Sequence, residues 1–150
     1  IAFPEILLSL SDSLQKRIHF LEELVEKLGL SGVEFYHGRA EDLGRNPMHR
    51  ERYDLAVSRA VANLSTLSEY DLPFVKQDGY FIAMKSGNLD AELEKGRKAI
   101  HLLGGKLVAI EEYTLPETDI ARTLLLIRKV ESTAKKYPRK AGIPAKEPLG

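Results

Sequence analysis

The run ARTLLLIRKV (residues 121–130) follows KLVAIEEYTL (106–115) with only a short Pro116–Asp119 link between them. Both read as strands, and parallel neighbours need a crossover of a dozen residues or more. These two therefore pair antiparallel. Upstream the rhythm differs, because each strand-like run is followed by a helix-like one. Residues 6–11 read as a buried strand. From 13 to 29 the apolar residues Leu14, Ile18, Leu21, Leu24, Val25 and Leu28 recur at helical spacing, with Ser13 placed as N-cap and Gly29 as the stop. VEFYH (33–37) alternates as a strand. Residues 38–52 are polar, broken by Gly44 and Pro47, and read mostly as loop. A strand over 53–60, a helix from Asn63 halted by Pro73, a strand over 79–86 and a helix over 89–103 complete the series. Strands alternating with helices, closed by an antiparallel pair, predict an α/β Rossmann-like sheet.

Composition bounds what such a fold can do. The chain has 150 residues, with 43% hydrophobic and 29% charged side chains, enough to bury one core. No apolar run approaches the roughly 20 residues needed to span a bilayer, so no membrane association is expected. With no cysteine there is neither a disulfide nor a Cys-based zinc site, which suits a cytoplasmic location. His19, His37, His49 and His101 have no metal-ligand spacing, so no metal is expected. Neither a nucleophile elbow nor a glycine-rich phosphate loop is present in these residues.

The candidate functional residues lie where strands end, because open parallel sheets bind ligands outside the carboxyl ends of their strands. Asp12 sits at a strand-to-helix junction, where an acid either caps the helix or accepts hydrogen bonds from ribose hydroxyls. Lys16 and Arg17 fall in the first helical turn, which disfavours positive charge. They are either a solvated pair or a means of meeting an anion. Glu41 and Asp42, after VEFYH, are placed to meet an adenine amino group or a ribose. Arg59 ends an apolar strand, where a charge must be paired or face a cleft.

The chain is neutral, with 22 basic and 22 acidic side chains, yet its end is not. Arg128, Lys129, Lys135, Lys136, Arg139, Lys140 and Lys146 face the single acid Glu131 over residues 128–146. Such a density suits phosphate binding, and Tyr137 offers a ring for base stacking. Pro138, Pro144 and Pro148 argue for an extended arm without a helix. A solvated terminus has the same composition.

Taken together, DSLQKRIHFLEELVEKLGL, HGRAEDLGR, YDLAVSRAVANLSTLSEYDLPFVK, GYFIAMK and YPRKAGIPAKEPL resemble the RsmG (GidB) family of bacterial 16S ribosomal RNA methyltransferases. The likeness runs in order over essentially the whole chain, and SRA, G-x-x-x-A-M-K and the YPR ending are specific in combination. The resemblance implies a class I S-adenosylmethionine-dependent fold and methylation of a guanine N7 in 16S ribosomal RNA, whether free or in the small ribosomal subunit. It implies that Ala40, Glu41 and Arg59 contact the cofactor, with Asp12 as ribose partner. Lys135, Lys136, Tyr137, Arg139, Lys140 and Lys146 would form an RNA-facing arm, residues 135–150, on a methyltransferase domain of residues 1–134. The family's first strand and glycine-rich loop are expected upstream of Ile1, so the fold reads as N-terminally truncated and the activity as that of a longer chain. No catalytic base is assigned, because guanine N7 carries a lone pair and no proton. The alternative from a different class is a non-catalytic RNA-binding module on a Rossmann-like scaffold.

Overall fold

The computed structural model describes residues 1–59, 62–86 and 89–150, and divides the chain into two compact units, Ile1–Ala40 and Glu41–Gly150. Ala60 of the SRA motif lies outside the described residues, as does Gly87.

In the first unit β1 (Leu8–Asp12) runs through α1 (Gln15–Lys27) into β2 (Val33–His37). β1 and β2 pair in parallel, with Asp12 opposite His37 at their carboxyl ends. The apolar stripe forms the helix as its spacing predicts, and Ile18 is its buried residue. The N-cap is Leu14 rather than Ser13, with no side-chain cap bond of its own. Asp12 reaches two residues forward instead, its Oδ1 accepting the Leu14 N–H at 2.8 Å. Its Oδ2 lies 3.2 Å from Arg17, which balances that cation's unfavourable place in the first turn.

The second unit begins within the short helix α2 (Ala40–Leu43), inside a stretch that reads as loop from sequence. β3 (Tyr53–Ser58), α3 (Leu64–Asp71), a 3-10 turn (Leu72–Phe74) and β4 (Val75–Lys85) follow. Then come α4 (Asp90–Leu102), β5 (Gly105–Thr114), β6 (Ala121–Lys129) and the one-turn helix α5 (Ile143–Lys146). The four strands lie in the order β3-β4-β6-β5. β3 and β4 are parallel, whereas β6 is antiparallel to both β4 and β5, as their short link requires. Among the described residues, β1 pairs only with β2 and β3 only with β4.

The core of this unit is built from Leu64, Leu67, Leu72, Phe81, Leu125 and Ile127, each at most 1% exposed. Burying each such side chain contributes about 1.5–3 kcal/mol. Gly96 lets α4 approach α3, since a Cβ there would collide with the Leu64 side chain.

The C-terminal stretch departs most from expectation. It is no extended arm. Tyr137 is 7% exposed and belongs to the core cluster, and Pro144 sits in the first turn of a helix where a break was expected. Pro can occupy the first turn of a helix, where its missing N–H would have no intrahelical partner anyway. Arg50 donates to the carbonyls of Thr133, Ala134 and Tyr137, and Arg45 Nε to that of Pro138 at 2.7 Å. The Thr66 hydroxyl donates to the Pro144 carbonyl at 2.9 Å. Side chains from the body thus meet the backbone groups that prolines and turns leave unpaired.

Candidate cofactor and nucleic-acid site

In the first unit the carboxyl ends of β1 and β2 carry Asp12 and His37, and the Gly38 N–H donates to the Asp12 carbonyl at 3.1 Å. This is the edge where a parallel sheet receives a nucleotide. The Asp12 side chain is 22% exposed, so beside its two local bonds it keeps acceptor capacity toward solvent. An acid with free lone pairs at that edge fits a ribose diol. Ala40 opens α2.

Glu41 is placed otherwise than a ligand-facing acid. It is 4% exposed, and its Oε1 accepts the Gly142 N–H at 2.8 Å. Gly142 has a φ of +84°, a left-handed conformation that suits glycine. The Glu41 carboxylate therefore fastens the C-terminal stretch.

Arg59 follows the last residue of β3 and is exposed. Among the described residues no hydrogen bond or ion pair engages its guanidinium. The residues around it are tied down. Ser58 hydrogen-bonds the Asp71 carboxyl, which retains some exposure as a residue but is desolvated enough for its pKa to rise to about 7. Lys85, at the end of β4, donates from Nζ to the Ala62 carbonyl at 2.9 Å and pairs with Glu92 at 2.8 Å. None of Asp71, Lys85 or Glu92 was singled out from sequence. Only the position of Lys85 at the end of an apolar strand, the same signal that marked Arg59, pointed to one of them.

The basic residues of the C-terminal stretch separate into two sets. Arg139 forms a two-pronged pair with Glu69, which is fully buried, and also donates its backbone N–H to that carboxylate at 2.7 Å. Its guanidinium further reaches the Glu147 carbonyl. Tyr137 is buried, so its ring is unavailable to a nucleobase. Lys129 is fully buried, donating to the carbonyls of Leu72 and Val75 and pairing with Glu51 at 3.2 Å. Arg128 pairs with Asp78 at 2.7 Å. What remains open is Lys135, Lys136, Lys140 and Lys146, all exposed, with Lys136 Nζ lying 5.1 Å from the Tyr137 ring centre. Of the seven basic residues over 128–146, these four are in no ion pair among the described residues.

Among the described residues no cluster of His, Cys, Asp or Glu could hold a metal, and no helix is long and apolar enough to cross a membrane.

The family model for rRNA small subunit methyltransferase G (GidB) matches residues 1–121. The chain belongs to that family. A ribosomal RNA small subunit methyltransferase G from Lactobacillus helveticus is 53% identical over 146 residues, 97% of this chain and 61% of the relative. One from Geobacillus is 53% identical over 149 residues, 99% of this chain and 63% of the relative. The chain thus spans about three fifths of the length of the curated relatives it matches. Among solved structures, an rRNA methylase from Streptococcus thermophilus superposes with a TM-score of 0.58 at 14% identity, covering 82% of this chain and 73% of that one. NSun6 from Pyrococcus horikoshii gives 0.64 at 12% identity, covering 83% and 41%. These likenesses show the fold, an α/β class I methyltransferase fold with a mixed sheet.

Proposed function

We propose that this chain carries part of the machinery of an S-adenosylmethionine-dependent methyltransferase that modifies guanine N7 in 16S ribosomal RNA in the cytoplasm. The observation that carries the reading is the 53% identity to proteins named for that class of reaction, sustained over nearly the whole chain. S-adenosylmethionine supplies an activated methyl group on a sulfonium. The residues present fit the adenosine side of such a ligand better than the methionine side: Asp12 offers acceptors for a ribose, and Ala40 opens the turn after β2.

Arg59, exposed just after β3, is a charged group that faces solvent at a strand's carboxyl end. Its role is that of a cofactor contact, as the family resemblance implies. Because N7 attacks through a lone pair, no side chain has to remove a proton, and positioning supplies most of the acceleration. Lys135, Lys136, Lys140 and Lys146 add sequence-independent attraction for the RNA backbone.

The test is methyl transfer from labelled S-adenosylmethionine to a 16S ribosomal RNA transcript. It compares this chain with one extended to the full length of its relatives. Labelled guanine N7 with the extended chain is the expected result. RNA binding without any transfer by the extended chain would favour the non-catalytic module.

A further inference from the structure

We propose that the recess between α3, α4 and the C-terminal stretch is a subsite for one phosphate group of the RNA backbone, held by Ser65 and Lys95. This deepens the reading of the chain as part of an RNA-modifying enzyme and rests on it.

A cavity of about 220 Å³ is lined by Asn63, Ser65, Glu92, Lys95, Pro148 and Gly150. Its rim is open and its floor is not: Lys95, Pro148 and Gly150 are exposed, whereas Ser65 is 3% exposed. A hydroxyl on so buried a residue ordinarily has a hydrogen-bond partner. Among the described residues none engages that of Ser65. Yet no sealed side-chain oxygen among them lacks a partner, so this hydroxyl keeps its access through the cavity it lines. It is a buried donor aimed at a space that holds no protein group for it.

The surroundings favour an anion there. Of the first three N–H groups of α3, that of Leu64 donates to Glu92 Oε2 at 2.8 Å and that of Thr66 to Asn63 Oδ1 at 2.9 Å. The N–H of Ser65, between them, meets no acceptor among the described residues. A helix N-terminus carries partial positive charge and leaves such groups for a negative ligand. Lys95 adds a full charge at the rim and forms no salt bridge among the described residues. Glu92 does not cancel it, because Lys85 Nζ lies 2.8 Å from its Oε1. A hydroxyl, an N–H and an ammonium thus line one recess, and a phosphate has acceptor oxygens enough for all three. The open rim suits a phosphate carried on a chain that passes by. Inorganic phosphate shares the chemistry, and the test separates the two.

The experiment uses the chain extended to its relatives' length. It is titrated with a 16S ribosomal RNA transcript and, separately, with inorganic phosphate followed by the NMR shift of the Ser65 amide. Ser65→Ala removes only a hydroxyl and Lys95→Gln only an exposed charge, so both are expected to fold with an unchanged melting temperature. Each should weaken transcript binding about fivefold, the loss of one hydrogen bond to a charged group. KM for the transcript should rise accordingly, while kcat and KM for S-adenosylmethionine stay within about twofold, as for a contact made equally before and during reaction. Lys95→Gln should also reduce the slope of log K against log salt by about 0.7–0.9, one phosphate contact, and Ser65→Ala should not. Unchanged transcript affinity in both variants would overturn the proposal and leave the functional reading standing. A Ser65 amide that responds to inorganic phosphate without any change in transcript affinity would assign the recess to a free anion and overturn it too. So would losses matched by a lowered melting temperature. An unsubstituted protein that neither binds the transcript nor transfers methyl would instead overturn the functional reading, and this one with it.

Discussion

Two stretches of the second unit carry an arginine at a point of interest, and the structure treats them in opposite ways. After β3, the backbone is secured at Ser58, Ala62 and Leu64 while the Arg59 guanidinium is left in solvent. In the C-terminal stretch the guanidinium of Arg139 is itself the fastener, clamped on a fully buried Glu69, and the lysines are what remains outside. Among the described residues one arginine meets no carboxylate, and the other is a rivet. What separates them is the carboxylate that one of them meets in three dimensions, which neither local sequence displays.

The largest effect should come from breaking the rivet. Arg139→Ala leaves the Glu69 carboxylate buried without its partner, and removing one member of such a pair costs on the order of 3–5 kcal/mol. Urea unfolding should show that loss as a lower midpoint. Arg59→Ala should do the reverse, leaving the midpoint within about 0.5 kcal/mol, as expected for an exposed residue. Its cost should appear in the S-adenosylmethionine affinity of the chain extended to its relatives' length, at roughly tenfold, equivalent to about 1.4 kcal/mol. If Arg59→Ala destabilised the fold as strongly as Arg139→Ala, the contrast between ligand group and rivet would fail.

The lysines test the same contrast more finely. Replacing Lys135, Lys136, Lys140 and Lys146 together by alanine should leave stability nearly unchanged, since all four are exposed. RNA affinity should lose salt dependence, the slope of log K against log salt shrinking by up to about 3, as four phosphate contacts imply. An unchanged slope would remove the C-terminal stretch from the RNA interface.

How far the sequence could lead is clear from particular elements. β2 begins and ends where VEFYH alternates, and the antiparallel β5–β6 pair follows from the shortness of its link. Those signals are local. β4, in contrast, begins at Val75 and not Gly79, because KQDG reads as a turn. The bulge between Tyr53 and Leu55 accommodates it, with Asp78 at a φ of +66°. Glu41 and Tyr137 were chosen for chemistry that suits ligands, and both are spent on holding the C-terminal stretch to the body. Their partners lie about a hundred residues away or in a core assembled from several elements. A spacing pattern carries no record of such contacts. Asp12 and Arg59 stayed legible because a strand's carboxyl end marks a position whatever the rest of the chain does.

The smallest effect concerns Asp71, whose carboxyl meets Ser58 at the end of β3. Desolvation raises its carboxyl well above the ordinary aspartate range, to about 7, with the Ser58 bond pulling the other way. The folded state therefore holds this proton more tightly than the unfolded chain. Its contribution to stability is fully present below about pH 4 and is lost as pH rises toward 7. Asp71→Asn mimics the protonated form and should flatten that part of the stability profile, with the variant gaining on the parent most above pH 7. The change should be modest, because other groups titrate in the same window and the residue keeps some contact with solvent. Urea midpoints at pH 5, 6, 7 and 8 for both proteins would measure it. Parallel profiles would mean that Asp71 is ionised throughout. Its hydrogen bond to Ser58 would then be a charged one, stronger than a neutral bond and insensitive to pH over that range.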